Sequence, residues 1–312
     1  MSMIILAPLA GVTDRAFRNV CRYYGADFAT TEMVSAKGIY YKDKKSSELM
    51  DISSDNGAAA IQLFGSEPEV MEYAVTEAMK RNPFSIDINM GCPVPKIVGN
   101  GDGSALMKDI KRAEKVIHAA VRASSVPVSV KFRSGFDDKS INAVEFAQMC
   151  EGAGAYSVCV HGRTREQFYS GNADYEIIAK VKSSVKIPVT GNGDIFSPQD
   201  AKRMFDETGC DNVAVARGAL GNPFIFTQIK QYLKYGEYRS VTVSEKLDTV
   251  LLQARLMLEY KSERITVLEM RKHFAWYVKG IPGAAYYKTC IFGAENILQL
   301  ENIAAEIKQR NI

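Results

Sequence analysis

A thiol, two cations and several amides stand where apolar runs of this sequence give way to polar turns. Cys92 lies between Gly91 and Pro93, directly after the alternating stretch "SIDINM" at 85–90. A thiol there can serve as nucleophile or proton donor, and an ordinary pKa of about 8.5 leaves it mostly protonated near neutrality. Lys131 follows "VPVSV" inside another apolar run, although lysine is almost never fully buried unless paired. Arg133, two residues on, shares its face. A convergent cation pair calls for something anionic or electron-rich. Gln62, Asn89, His161, Arg163, Asn192, Asp194 and Arg217 hold matching places at the ends of other runs.

The elements that must position these groups recur regularly. Eight β-branched or apolar runs are "MIILAP" (3–8), "FATTEM" (28–33), "AAIQLF" (59–64), "SIDINM" (85–90), "VPVSVKF" (126–132), "YSVCVH" (156–161), "IPVTGN" (187–192) and "NVAVAR" (212–217). Their starts lie about 25 to 40 residues apart, the span of a strand plus its helix. Between them, Thr13 reads as a helix N-cap, Ser66 and Glu69 as a capping box around Pro68, and Ser197 as a cap with Pro198 at the first helical position. Eight alternating units favour a closed (β/α)8 TIM barrel, with a doubly wound open sheet as the alternative. Beyond about residue 240 only helical periodicity remains, as in "SEKLDTVLLQARLMLEYK" and "LENIAAEIKQR". The expectation is a barrel over residues 1–240 followed by a small C-terminal helical domain over 241–312.

Barrels of this kind do chemistry at the C-terminal ends of their strands and hold phosphate at the turns after strands 7 and 8. "GNGDI" at 191–195 and "ARGALGNPF" at 216–224 are glycine-containing turns in those places, able to bring backbone amides close to an anion. The earlier "GNGD" at 99–102 follows no strand and is given no such duty. No G-x-G-x-x-G opens a helix after a strand, so a Rossmann-type dinucleotide is not indicated. A mononucleotide with its phosphate at strands 7 and 8 would lay its ring over the mouth, within reach of Gln62 and Lys131. Amides plus one lysine suit a flavin, whose reduced ring carries negative charge that a cation stabilises.

The six cysteines show no C-x-x-C spacing, and the N-terminal stretch lacks the basic lead and apolar length of a signal peptide. Together these suggest a cytoplasmic protein with reduced thiols. No apolar run approaches the roughly 18 residues of a membrane span. Net charge is +3, but residues 222–312 carry 13 of the 39 Lys and Arg against 9 of the 36 Asp and Glu.

Seven blocks in order, from residue 7 to 226, are "APLAGVTDRAFR", "IQLFGSEPE", "DINMGCPVPKIV" with its following "GSALM", "VKFRSGF", "VHGRTREQFYSGNADY", "GNGDI" and "ARGALGNPFIF". Together they resemble the tRNA-dihydrouridine synthases, most closely the bacterial B-type branch. Leu9 stands where that family usually has methionine, a near-isosteric change. The resemblance implies an FMN-dependent enzyme that reduces the C5=C6 bond of specific tRNA uridines, expected in the D-loop, with NADPH as electron donor. By the same resemblance Pro8, Leu9 and Ala10 would touch the flavin, and Gln62 and Lys131 would bond its ring edge. Asn192, Gly193, Asp194, Ala216 and Arg217 would hold the ribityl phosphate region, with His161 nearby. Asn89, Arg133 and Tyr169 would position the uracil, and Cys92 would be the general acid. A uridine in folded tRNA must leave its stack to reach such a site.

That reading gives the basic C-terminal segment a role. Lys261, Arg264, Arg271, Lys272, Lys279 and Lys288 are interleaved with Trp276, Tyr277, Tyr286 and Tyr287, a pattern suited to RNA backbone, with Lys272 and Lys279 as named contacts. The expected partner is tRNA, with no metal and no membrane, and the expected state is a monomer. Two alternatives stand beside this reading: a flavin-dependent dehydrogenase of free pyrimidines, of dihydroorotate or dihydropyrimidine type, and a catalytically retired RNA-binding protein.

Overall fold

Strands β1 (Ile4–Leu6), β2 (Phe28–Ser35), β3 (Ala59–Phe64), β4 (Ser85–Met90), β5 (Val128–Arg133), β6 (Ser157–His161), β7 (Val189–Asn192) and β8 (Asn212–Val215) pair in chain order, all parallel. β8 returns to β1, closing the barrel. This is a computed structural model that describes residues 2–55 and 59–310. The open-sheet alternative is excluded by that closure. β3 and β4 span the expected residues, whereas β5 and β7 begin two residues late. Pro127 and Pro188 precede them, and proline has no N–H to give a ladder.

Helices fill the connections: α1 (Arg15–Tyr23), α2 (Ala36–Tyr40), α3 (Lys44–Leu49), α4 (Pro68–Met79), α5 (Pro95–Gly99), α6 (Ile110–Ala123), α7 (Ala143–Gly152), α8 (Tyr175–Ser184), α9 (Pro198–Thr208) and α10 (Ile225–Tyr235). Their apolar faces and the strands form one core, with Phe17, Ile61, Leu63, Val116, Ile117, Phe132 and Phe146 fully buried. Two cap expectations require correction. Asp14, not Thr13, caps α1, accepting from Phe17 N at 2.9 Å. The Thr13 hydroxyl instead closes the turn before the helix, accepting from Leu9 N and donating to Leu9 O. The Ser66–Glu69 box does not form: Pro68 opens α4, but Glu67 caps without a side-chain bond because its carboxylate pairs with Lys37. Ser197 does cap α9, in a reciprocal box with Asp200.

Gly236 ends α10 with φ of 78°, a conformation that suits glycine. After it come α11 (Val243–Leu258), α12 (Glu263–Tyr277), α13 (Ala284–Gly293) and α14 (Ile297–Arg310). Thr242 and Glu245 form a capping box at the start of α11. These four helices share a second apolar cluster around Leu247, Met257, Phe274, Tyr277, Ile291 and Ile307, which also takes in Ala16 and Phe224 from the barrel side. Among the described residues no helix is long and apolar enough to cross a membrane.

Candidate active site

Strand register sets the polar residues side by side near the C-terminal ends of the strands. Asn89 on β4 lies beside Lys131 on β5, Arg133 beside His161 on β6, His161 beside Asn192 on β7, and Asn192 beside Ala214 on β8. Gln62 on β3 lies beside Met33 on β2. A cleft over this ring is lined by Pro8, Leu9 and Ala10 on one side and Asn192, Gly193, Asp194, Ala216 and Arg217 on another. Gln62, Asn89, Cys92, Lys131, Arg133, His161 and Tyr169 complete it. Every residue expected near the flavin or the uracil therefore meets in one place.

Cys92 is held from both sides. Asn89 Oδ1 accepts the N–H groups of Gly91 and Cys92, at 3.1 and 2.9 Å. The Cys92 carbonyl accepts from Ser104 Oγ and Ser104 N. Gly103, at φ of 59°, packs so closely that a Cβ there would lie 3.0 Å from Cys92 Cβ. The "GNGDG" segment thus backs the thiol loop, a role its composition did not reveal. The thiol is 8% exposed, and burial pushes its pKa up, more than Val94 N–H and the charges of Arg133 and Lys131 pull it down. It stays protonated.

Lys131 Nζ donates to Asn192 Oδ1 at 3.1 Å, while Asn192 Nδ2 donates to the Ala214 carbonyl at 2.7 Å. Asn192 is oriented by that second bond, and Lys131 keeps donors for the cleft. His161 is buried, and burial together with the surrounding Lys131, Arg133, Arg163 and Arg217 charges holds its pKa well below the ordinary value. A neutral imidazole is the result. Arg133 is 3% exposed, with Nε on the Gly91 carbonyl and Nη1 on those of Thr164 and Phe168. Burial brings its pKa down to about 10, which leaves it charged at neutrality. It braces two loops, leaving Nη2 for a ligand. Tyr169 stacks under Arg217, 4.5 Å from ring centre to guanidinium carbon, and lies 6.0 Å from Arg133.

The turns after β7 and β8 abut. A Cβ on Gly218 would lie 2.0 Å from the Ile195 carbonyl, and one on Gly193, at φ of 130°, would lie 2.6 Å from Ala173 Cβ. Asp194 lines the cleft and is itself enclosed by donors. Its carboxylate takes two bonds from the 2%-exposed Arg163, at 2.8 and 2.7 Å, one from Ala173 N and one from Arg217. Burial opposes its ionisation, but Arg163 and the Ala173 N–H outweigh that and keep its pKa low. Its side chain clamps two arginines beside the cleft.

Lys272, half-buried, makes a bond within the protein. Its ammonium donates to the Gly11 carbonyl, in the turn next to Ala10. Lys261 is tied to Asp14 and Glu269, and Arg271 to the Ala294 carbonyl. Arg264 and Lys279 are the exposed cations of the set, while Tyr277 and Tyr287 are buried in the second cluster. Sequence reasoning missed Asp87, Ser104 and Phe196. Asp87 opens the block "DINMGCPVPKIV" and Ser104 stands in "GSALM", so both were within reach of those motifs; Phe196, half exposed on the cleft rim, follows "GNGDI" and was within reach of that one.

Among the described residues no group of three His, Cys, Asp or Glu could hold a metal ion. Amides and a lysine facing an apolar turn, beside two glycine-tightened turns backed by arginines, fit a flavin mononucleotide, and the fold and site define a flavin-dependent barrel oxidoreductase. A family model described as dihydrouridine synthase matches residues 5–310. The chain is 43% identical over 299 residues to a probable tRNA-dihydrouridine synthase of Rickettsia conorii, covering 95% of this chain and 89% of that protein. It is 39% identical over 287 residues to tRNA-dihydrouridine synthase B of Pseudomonas aeruginosa, covering 91% and 86%. Among solved structures it resembles an old yellow enzyme homologue from Zymomonas mobilis, with a TM-score of 0.54 at 12% identity over 78% of this chain and 92% of that one. This chain belongs to the dihydrouridine synthase family.

Proposed function

We propose that the protein reduces the C5=C6 bond of uridines in tRNA, with FMN held over the barrel mouth and NADPH as the electron source. The observation that carries this reading is Cys92: a thiol kept neutral by burial, fixed by Asn89 on one side and Ser104 on the other, above a lysine-bearing ring. FMN, when bound, supplies the hydride that C6 of the uracil receives. Cys92 then gives its proton to C5, and Lys131 with Arg133 stabilises the negative charge that builds on the base before it does. Gln62 and Lys131 would hold the ring edge. The Gly193 and Gly218 turns and Arg217 would hold the phosphate, with Asp194 keeping Arg217 in place. Arg133 Nη2 is a donor suited to a uracil carbonyl, and Asn89, whose Nδ2 donates to Gln62 Oε1, would flank the base.

Residues 1–240 are taken as the catalytic barrel and 241–312 as the module that meets RNA, with Lys279 and Arg264 offering exposed charge. The same reading makes the protein a cytoplasmic monomer. The direct test is single-turnover oxidation of the reduced FMN-loaded protein by unmodified tRNA, with free uracil and orotate as competitors for the role. Oxidation by tRNA alone, with dihydrouridine in the product, is the expected result. Oxidation by orotate or uracil would favour a free-pyrimidine dehydrogenase, and a protein that stays colourless after FMN is supplied would favour a retired RNA binder.

A further inference from the structure

Asp87 lies on β4, two residues before Asn89, with 5% exposure and outside the lining of the cleft. Its two oxygens are both engaged: Oδ2 accepts from Gln62 Nε2 at 2.6 Å and Oδ1 from Ser129 Oγ at 2.5 Å. Gln62 Oε1 in turn accepts from Asn89 Nδ2 at 2.9 Å, and Asn89 Oδ1 accepts from Cys92 N. We propose that Asp87 is a positioning residue whose carboxylate fixes which way round the Gln62 and Asn89 amides lie, and through them the loop that carries the Cys92 thiol.

Donors and acceptors along the chain dictate its direction. An ionised carboxylate only accepts, so the NH2 end of Gln62 must face it and the oxygen end must face Asn89. That leaves Asn89 one orientation, with its oxygen toward the Cys92 and Gly91 N–H groups. Nothing in the shape of an amide distinguishes its two ends. Without the carboxylate, a reversed Gln62 would set NH2 against the NH2 of Asn89, and a reversed Asn89 would set NH2 against two backbone N–H groups. Each mismatch leaves buried donors unpaired. Burial pushes the Asp87 pKa up, and the Gln62 and Ser129 bonds and the Lys131 charge oppose that push.

The test compares Asp87→Ala with Asp87→Asn, both as FMN-loaded full-length protein. Alanine removes the acceptor that holds Gln62 Nε2, whereas the oxygen of a side-chain amide can still accept from Gln62 while its NH2 donates to Ser129 Oγ, so the chain keeps its direction. Asp87→Ala should retain FMN and its reduction by NADPH, keep KM for tRNA within about twofold, and lose about tenfold in single-turnover oxidation by tRNA, the size of one buried hydrogen bond. Asp87→Asn should keep most of the rate. Unchanged oxidation in Asp87→Ala, or Asp87→Asn as slow as a folded Asp87→Ala, overturns the proposal. Should Asp87→Ala fail to fold, Asp87→Asn decides: oxidation within about threefold of the unaltered protein supports the proposal, and a loss of about tenfold with FMN retained overturns it. The proposal rests on the uridine-reduction reading, which is checked first with unaltered protein; absence of dihydrouridine there would overturn that reading instead.

Discussion

The side-chain oxygen of Asn89 accepts the backbone N–H of Cys92 at 2.9 Å, so the end of β4 sets the position of the thiol three residues on. Asn89 is 9% exposed and Cys92 8%, which places the bond where water competes poorly for it. The Ser104 bonds hold the other side of the cysteine backbone. A proton donor must stand at a defined distance from its acceptor, and this loop is anchored at both ends for that purpose.

Cys92→Ala is expected to retain FMN and its reduction by NADPH while tRNA turnover falls about 10²–10⁴-fold, the contribution of a positioned general acid. The pH dependence follows from the direction of its shift. The active form is the protonated thiol, and burial raises its pKa, so oxidation by tRNA should be flat through neutrality and fall only above about pH 9. In Cys92→Ala that alkaline fall should vanish from the residual rate. Stopped-flow flavin absorbance against pH measures both. A full-rate Cys92→Ala enzyme would assign the proton to water.

Gly218→Ala should weaken FMN binding. The added Cβ would sit 2.0 Å from the Ile195 carbonyl, a backbone atom that cannot move aside without opening the turns after β7 and β8. Overpacking of this kind costs about 1–3 kcal/mol, which is roughly 5- to 150-fold if expressed in the affinity for FMN. Gly152→Ala is the control, since a Cβ there meets nothing within 4 Å. Flavin retained after dialysis distinguishes them; equal retention would remove the turns from the phosphate site.

The barrel was legible because eight apolar runs at near-constant spacing admit few topologies, and because the polar residue at each run's end had nowhere to go but the mouth. The eight β-strands observed all overlap the expected ones, with prolines trimming β5 and β7. What sequence reasoning could not supply was partnership. Asp194 sits in the turn after β7, and nothing local says that Arg163, 31 positions earlier, binds both its oxygens. Lys272 looks like a surface cation until Gly11, 261 positions away, takes its ammonium. Asp87 alternates with Ile86 and Ile88 as any strand residue does, and its place in the Gln62–Asn89 chain depends on register between β3 and β4. Such pairings are set by tertiary geometry and leave no local trace.

His273 on α12 makes the molecule sensitive to mild acid. It is 1% exposed, shares a bond of 3.0 Å between its Nδ1 and Gln253 Nε2, and packs on Phe17 of α1. Burial lowers its pKa to about 4, with Lys272 and Lys261 adding to the effect and Asp14 opposing it. The unfolded chain takes up this proton below about pH 6.5, whereas the native state does not until about pH 4. Stability should therefore fall as pH drops through that window, by roughly 2–4 kcal/mol from this group. His161, shifted the same way, adds its own part. Urea midpoints at pH 7 and pH 5 should differ less in His273→Gln than in the unaltered protein. An equal difference would mean that α12 takes up the proton without leaving the barrel.

Lys279 and Lys272 separate RNA contact from support of the flavin loop. Lys279 is exposed just beyond α12, beside a groove that also holds Trp276 and Tyr238 and reaches Phe196 at the cleft rim. A cation there with no carboxylate partner among the described residues is free to neutralise a phosphate. Lys279→Glu should weaken tRNA binding and reduce the slope of log affinity against log salt by about 1, with FMN binding unchanged. Lys272→Ala removes a donor from the Gly11 carbonyl, next to the Pro8–Ala10 segment of the cleft. It should alter the flavin spectrum and FMN retention while leaving the salt slope close to that of the unaltered protein. If Lys272→Ala instead lowers the slope as Lys279→Glu does, its ammonium turns outward to RNA when tRNA binds, and the Gly11 bond belongs to the free enzyme alone.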